Sequence, residues 1–383
     1  MPAPHSSMNA VTRLLRDLVA IPSVNPGLLG EDADTPGEEP VAAYLADLAQ
    51  KHGLDVERQP VLPGRRNLLV RLRPAGKVRQ RILLAPHMDV VPAEAAQFKP
   101  RIQDGRLYGR GACDTKGCVA AYFHALCQLA KRKQRPRHTE IIFVGLVDEE
   151  HMQSGSRAYA KKGPKADLAI VGEPTKLQVV TAHKGDLWWQ LKVTGKAAHG
   201  ATPHLGVSAV HLMARTVEVL LTDYAESLRQ NEHPLLGSPT INIGVIQGGT
   251  QPNIVPEACS IDIDRRTLPG ETEASVRKEI LAKLRPHGLK PDFLDLRGVP
   301  CDPLETNPAL PLVQQFMKAA RRRRNLGVDF FTDAAPLASA GIPAILYGPG
   351  DIAQAHTAEE WIELSQLERA TEVVQQFLLG VES

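Results

Sequence analysis

Apolar and polar residues follow two different periods along the first half of the chain. Some segments repeat apolar residues at helical spacing, and others are short, nearly continuous apolar runs that are typical of buried strands. Because the two kinds alternate, this part is predicted to be an α/β unit whose mainly parallel sheet is buried on both faces. The predicted elements are helices at about 9–20, 38–52 and 117–133, and strands at 67–72, 81–91, 139–150 and 166–174.

The pattern changes near Asp186, where apolar and polar residues begin to alternate as in half-exposed strands. The predicted order from there is β-α-β-β-α-β, which is the ferredoxin-like split unit. We therefore predict an α+β domain of residues 186–298 inserted into a discontinuous domain of 1–185 and 299–383. The elements are strands at 187–195, 240–249, 258–267 and 292–296, helices at 206–229 and 271–284, and then a strand at 344–350 and a helix from about 365.

Composition excludes several classes of partner. The 383 residues are 43% hydrophobic and 23% charged with a formal net charge of +2, so we expect no nucleic-acid or membrane-surface binding. The dense basic run at 321–324 follows a helical pattern and is interpreted as a solvated helix end. The chain has no secretory signal pattern and no apolar stretch near the ~18–20 residues that span a bilayer.

The cysteines indicate a reducing compartment. Their number, five, is odd and no C-x-x-C pair occurs, so we expect no disulfide framework and a cytoplasmic protein. Cys113 adjoins Asp114 and has two interpretations, a soft ligand or nucleophile and, as the favoured one, a small buried residue.

Acids and histidines stand where predicted strands end and loops begin, which is where open α/β sheets place their chemistry. Their imidazole and carboxylate groups are ligands that zinc prefers. We therefore predict one two-metal hydrolase site. Its residues are His87 and Asp89 in APHMDVVP, Asp114 in GRGACDTKG, Glu149 and Glu150 in VDEE, Glu173 in VGEPT, and His356 in AHTAEEW.

Spacing suggests roles for some of these residues. Asp89 lies two residues after His87 and could hold the imidazole ring, while the two oxygens of Asp114 could bridge two metals. Glu149 and Glu150 would point in opposite directions on an extended backbone, one toward a metal and one toward the attacking water. The glycine-rich loop before Asp114 could instead bind phosphate, but it lacks the G-x-x-x-x-G-K-[ST] pattern.

These motifs, in this order over essentially the full length, resemble the M20 family of co-catalytic zinc peptidases and deacylases. The resemblance implies a zinc-exopeptidase-like catalytic domain and two divalent metal ions, with zinc favoured and cobalt or manganese as alternatives. It implies that Glu149 is the general base, that Asp89 supports His87, and that the peptide bond after Asp114 is cis. The implied metal ligands are His87 and Glu173 for one ion, Glu150 and His356 for the other, and Asp114 between them.

For the inserted domain the resemblance implies a lid that also forms a homodimer. His199 in GKAAHG would steady the oxyanion of the tetrahedral intermediate. Asn253 and Arg265 would bind substrate, and Arg266 competes with Arg265 because the strand register is open at this stage.

The segments AHKG (182–185) and FFTDAAPLASAGIP (330–343) favour an acetylornithine deacetylase type of member. The expected reaction is removal of an acyl group, in the first place acetyl, from an N-acyl amino acid such as N-acetyl-L-ornithine. The alternatives are a succinyl-diaminopimelate desuccinylase and an exopeptidase acting on short peptides. A catalytically silent binding homologue is a remote alternative, because all the implied ligands and the base are present.

Overall fold

The protein is described by a computed structural model that covers residues 8–30, 35–132, 135–299 and 301–381. These residues divide into two compact units. The first unit combines the described residues up to Thr181 with Thr306–Leu326 and those from Thr332 onward, and the second contains those of Ala182–Glu305 and Gly327–Phe331. Among the described residues, no helix has both the length and the apolar character needed to cross a membrane.

The chain up to His183 forms α1 (Ala10–Val19), α2 (Glu39–Lys51), β1 (Asp55–Leu62), β2 (Arg65–Leu72), β3 (Gln80–Pro86), β4 (Arg101–Gln103), β5 (Arg106–Tyr108), α3 (Lys116–Ala130), β6 (Thr139–Gly145), α4 (Ser154–Lys162), β7 (Leu168–Gly172) and β8 (Val180–His183). It then forms β9 (Gly185–Thr194), α5 (Ala209–Val219), α6 (Ala225–Arg229), β10 (Thr240–Gly248), β11 (Ala258–Thr267), α7 (Glu273–Leu284), β12 (Asp292–Asp295) and β13 (Leu304–Glu305). The last part forms α8 (Pro311–Ala319), β14 (Leu326–Val328), α9 (Ala334–Ser339), β15 (Ala344–Tyr347), β16 (Trp361–Glu363) and α10 (Leu364–Gly380).

The central sheet of the first unit has the strand order β1-β2-β6-β3-β7-β15-β8. The middle strands β6, β3, β7 and β15 are parallel, whereas β1, β2 and β8, which lie to either side of them, pair antiparallel with their neighbours. Every residue of β6 and β7 is buried, as expected for parallel strands covered on both faces. The apolar runs thus correctly predicted the parallel centre of a sheet that is mixed overall.

Helices complete the core of the first unit. α3 is buried over almost its whole length and contacts α1 and α10. Phe316 of α8 is fully buried and meets the rings of Tyr347 and Phe377 edge to face, with centroids 5.0 Å apart in both pairs. These contacts hold the helices on the strands whose ends form the site described below.

The second unit has the predicted β-α-β-β-α-β order. Its sheet runs β10-β11-β9-β12 with antiparallel neighbours. Along β11 buried residues alternate with half-buried ones, because one face packs on an apolar core that includes residues of α5 and α7. The helix predicted at 206–229 is interrupted by a π-helical turn at Leu220–Tyr224, between α5 and α6.

Several predicted boundaries were wrong, among them the end of the strand expected at 81–91, which lies at Pro86. The strand expected at 139–150 ends at Gly145, and Glu149 and Glu150 lie in a turn, so they do not stand on extended backbone. Asp148 has a φ of +69°, a left-handed conformation that a strand does not adopt. The helix expected at 117–133 ends at Ala130, and position 133 lies outside the described residues.

Several elements were not predicted. The pattern did not predict β1 because it is a polar edge strand. It did not predict β4, β5 and β16 because each is only three residues long. These last three strands form a small sheet of order β16-β5-β4. The unpredicted elements also include α4, α8 and α9.

Candidate metal centre and active site

Three of the predicted metal ligands and the predicted base follow the carboxyl ends of neighbouring strands. His87 comes directly after β3, Glu173 directly after β7, and Glu149 and Glu150 lie in the turn after β6. β6, β3 and β7 are adjacent and parallel, so their carboxyl ends share one edge of the sheet. Open α/β sheets bind their ligands at this edge.

His87 is held between two carboxylates. Its Nε2 lies 3.1 Å from Oδ1 of Asp114, and its Nδ1 lies 3.0 Å from the carbonyl oxygen and 3.5 Å from Oδ1 of Asp89. Burial opposes ionisation of Asp89, but bonds from His87, from the Glu150 amide and from Asn25 keep its pKa below the ordinary value. Asp89 therefore contacts the Nδ1 side of the ring, and its supporting role stays a prediction.

Asp114 lies between two imidazoles. Its Oδ1 faces His87, while its Oδ2 lies 3.4 Å from Nε2 of His356. The same Nε2 lies 3.1 Å from Oε2 of Glu150. Hydrogen bonds to Asp114 and Glu150 raise the pKa of His356 to about 10, and burial followed by the nearby Asp114 raises the pKa of Glu150 to about 7. The Asp114–Thr115 peptide bond is cis, as the family resemblance implied.

Two further carboxyl groups of the site are buried. Glu149 is 8% exposed and Glu173 is 4% exposed, and Oε1 of Glu173 has no hydrogen-bond partner among the residues that the structure describes. Burial raises the pKa of both groups well above the ordinary value; the negative charge of Glu173 further raises the pKa of Glu149, and that of Asp114 further raises the pKa of Glu173. Such acids need nearby positive charge to remain ionised at neutral pH.

Divalent cations would supply that charge. Ligand atoms of His87, Asp114 and Glu150 all lie within 4.8 Å of one another. Imidazole nitrogen and carboxylate oxygen suit zinc, and the orphaned Glu173 oxygen offers a further donor. The side chain of His356 is 53% exposed, so the group is open to solvent on that side. The residues therefore fit a metal site that a substrate can reach.

A buried network that the sequence did not reveal supports the turn with the two glutamates. Arg65 of β2 donates to Oε2 of Glu38 at 2.8 Å and to Oδ1 of Asp148 at 3.0 Å. Glu38 also accepts from the Asp148 amide at 3.0 Å, and Asn25 donates to Asp89 at 2.7 Å and to Asp148 at 3.2 Å. These partners are far apart in sequence, so no local pattern could have joined them.

Asp333, which lies in the segment FFTDAAPLASAGIP, is a buried acid in the same unit. Its Oδ1 accepts from the hydroxyl of Ser156 at 2.5 Å, while its Oδ2 has no hydrogen-bond partner within the described part of the chain. Burial raises the pKa of Asp333 to about 7. Its negative charge also raises the pKa of Glu149 and Glu173, so it adds to the excess of acid around the site.

In the second unit, His199 and Asn253 lie side by side on the surface. Both are exposed, and the Gly200 amide donates to the Asn253 carbonyl at 2.8 Å. The His199 ring accepts from the Ala201 amide at 3.0 Å through Nδ1, which leaves Nε2 as the donor. The predicted roles of these two residues stay predictions.

Arg265 lies inside the second unit and is 0% exposed. Its Nε donates to the Tyr224 hydroxyl at 2.9 Å, its Nη2 to Glu271 at 2.5 Å, and its Nη1 to the Arg266 carbonyl. Arg266 forms a bidentate ion pair with Asp264, in which Nε donates to Oδ1 and Nη2 donates to Oδ2, both at 2.9 Å. A direct contact between Arg265 and substrate would require these internal bonds to break.

All five cysteines are buried. Cys113 donates to the Asp351 carbonyl through Sγ at 3.3 Å, and burial strongly raises the pKa of its thiol. A thiol held in its protonated form is a poor ligand and nucleophile, which favours the buried structural interpretation.

Comparison with known proteins agrees with this geometry. The model of peptidase family M20/M25/M40 matches residues 83–380. An acetylornithine deacetylase from Myxococcus xanthus is 33% identical over 350 residues, which cover 88% of this chain and 90% of the relative.

Solved structures share the fold. Aminopeptidase PepT from Bacillus cereus superposes with a TM-score of 0.76 at 23% identity, covering 96% of this chain and 97% of its own. The YxeP protein of Bacillus subtilis, a dinuclear metal-binding peptidase of the M20 family, has a TM-score of 0.71 at 12% identity, covering 97% of each chain.

Replacing Arg65 by Met should strongly destabilise the first unit. Glu38 and Asp148 would be left buried without their cation, which costs about 3–5 kcal/mol. Arg66→Met is the matched control, because Arg66 is 45% exposed and its pair with Glu39 should contribute less than about 1 kcal/mol. Urea titrations that give equal unfolding free energies for the two variants would contradict the importance of the network.

Arg265→Met should destabilise the second unit by about 3–5 kcal/mol, because Glu271 and the Tyr224 hydroxyl lose a buried partner. Arg229→Met removes an exposed pair with Glu226 and should cost less than about 1 kcal/mol. Thermal unfolding monitored by circular dichroism separates these cases. If the Arg265→Met variant is as stable as the wild type, its internal bonds do not stabilise the second unit. That result would support the predicted contact of Arg265 with substrate.

Proposed function

The chain belongs to peptidase family M20/M25/M40, and from that premise we propose that it removes an acyl group from an N-acyl amino acid. The supporting observation is Asp114, whose two oxygens face His87 and His356. The relative from Myxococcus xanthus supports acetyl as the acyl group and N-acetyl-L-ornithine as the first substrate to test. Whatever its substrate, the chain is a metallohydrolase of this family.

We assign the metal ligands as the sequence suggested. One ion would be held by His87 and Glu173, the other by Glu150 and His356, and Asp114 would contact both. Zinc is the favoured metal and cobalt the alternative, because nitrogen and oxygen donors accept either ion. When bound, such ions supply Lewis-acid chemistry, which acidifies a water molecule and polarises the amide carbonyl.

Glu149 is the proposed general base. It would take a proton from the attacking water and pass it to the nitrogen of the leaving amino acid. Burial raises the pKa of Glu149, which makes its carboxylate a stronger base than one in water. Asp89 would keep the His87 ring in one orientation through its contacts to Nδ1.

The second unit is the proposed lid and dimerisation domain. His199 would donate a hydrogen bond to the oxyanion, and Asn253 on the adjacent segment would bind substrate. β10 is an edge strand of this unit's sheet, and Ile246 on it is 60% exposed, which suits a homodimer contact. A reducing cytoplasm suits the buried free thiols of Cys113, Cys118, Cys127 and Cys259.

Metal removal tests the proposed activity. Protein stripped by a chelator should not hydrolyse N-acetyl-L-ornithine, and added Zn²⁺ or Co²⁺ should restore turnover. Other N-acetyl amino acids, N-succinyl-LL-diaminopimelate and dipeptides complete the panel. Metal-dependent turnover of the succinyl compound or of a dipeptide alone would replace the deacetylase assignment by that alternative. Two bound metals without turnover of any compound would favour the silent homologue.

Glu149→Gln should lower kcat by about 100-fold or more while leaving the metal content unchanged, because the base is lost but the proposed ligands remain. Glu150→Gln is the contrasting variant, since it should lower metal content as well. Metal analysis and steady-state kinetics on the same samples distinguish the two. If Glu149→Gln turns over at the wild-type rate, another group is the base.

A further inference from the structure

Glu360 is a buried carboxylate that has no role in the site described so far. Its side chain is 0% exposed. Oε1 accepts from the amides of Cys113 at 2.8 Å and Asp114 at 2.9 Å. Oε2 accepts from the amide of Gly111 at 3.0 Å and from Nη1 of Arg110 at 2.7 Å. Four donors from one short loop therefore converge on a single side chain.

The loop is shaped around this carboxylate. Three backbone amides that point at one anion form a nest, and such a nest needs a residue in the left-handed conformation. Gly111 supplies it with a φ of +81°, and a Cβ at this position would lie 2.8 Å from Cγ1 of Val90. The amide of Asp114 is one of the three, so Glu360 directly fixes the backbone of the central proposed metal ligand.

The segment that contains Glu360 also contains His356. β16 follows Glu360 and pairs with β5, so that Trp361 lies opposite Tyr108 at the start of the loop. The Gly109 amide donates to the Glu360 carbonyl at 2.9 Å, and Nη2 of Arg110 donates to the Thr357 carbonyl at 3.2 Å. Backbone pairing and Arg110 thus tie the His356 segment to the Asp114 loop.

We propose that Glu360 is a positioning residue of the metal centre, which holds Asp114 and His356 at the separation that two ions require. All its oxygen contacts are to donors, so it acts through the loop and not as a ligand. Charge-assisted hydrogen bonds in a buried setting are strong enough for this task. The inference rests on the proposed metal centre and is independent of the substrate.

Glu360→Gln tests the inference, because glutamine keeps the size but turns an NH₂ group toward donors. We expect the affinity of the metal-free protein for Co²⁺ to fall about 10- to 100-fold, and the visible absorption of the bound Co²⁺ to change. Glu359→Gln is the matched control: its side chain is 81% exposed, with a 3.7 Å contact to Arg101, so the affinity and the spectrum should match wild type.

If circular dichroism shows that Glu360→Gln does not fold, Arg110→Met is the variant that tests the inference. It removes one donor to Glu360 and the link to Thr357, and it should lower Co²⁺ affinity several-fold. Wild-type affinity and spectrum in a folded Glu360→Gln protein, or in Arg110→Met where the first variant is unfolded, would overturn the inference. Wild-type protein that binds no Co²⁺ would overturn the metal centre itself, and with it this role.

Discussion

Buried acids are concentrated at one edge of the parallel strands, and their negative charge must be compensated there. This requirement determines how the surrounding loops and turns are held. Parallel strands end at the same edge, so the acids that follow them are gathered there whatever their distance in sequence. Carboxylates cannot stay ionised together in a buried site without cations. The imidazoles of His87 and His356 supply donors as well as partial compensation, and divalent metals would complete it.

Two buried supports hold this edge in place, and they solve the same problem in opposite ways. Arg65 is a cation placed between two acids behind the turn that presents Glu149 and Glu150. Glu360 is an anion placed among backbone amides behind the loop that presents Asp114. In each case a buried charged side chain, hydrogen-bonded to several groups of the turn or loop, makes that irregular segment rigid. Irregular backbone is what lets side chains from several strands converge on one point.

Sequence patterns predicted the parallel strands, the split β-α-β unit and the acids and histidines of the site, because periodicity and strand ends are local features. They failed where tertiary contacts decide. The turn at Asp148 looked like continued strand, since the residues before it are apolar and buried. No local pattern singled out Arg65 or Glu360, because their partners lie on distant segments. The sequence also did not show that the guanidinium of Arg265 is bonded inside the second unit; its substrate-binding role stays a prediction.

Anomalous diffraction at the zinc edge, from crystals grown with Zn²⁺, would show whether Asp114 bridges two metal ions. We expect two peaks per chain, each about 2.0–2.2 Å from a different oxygen of Asp114. One peak should also contact His87 and the other His356. A single peak, or peaks that do not contact Asp114, would contradict the claim that this carboxylate bridges two metal ions.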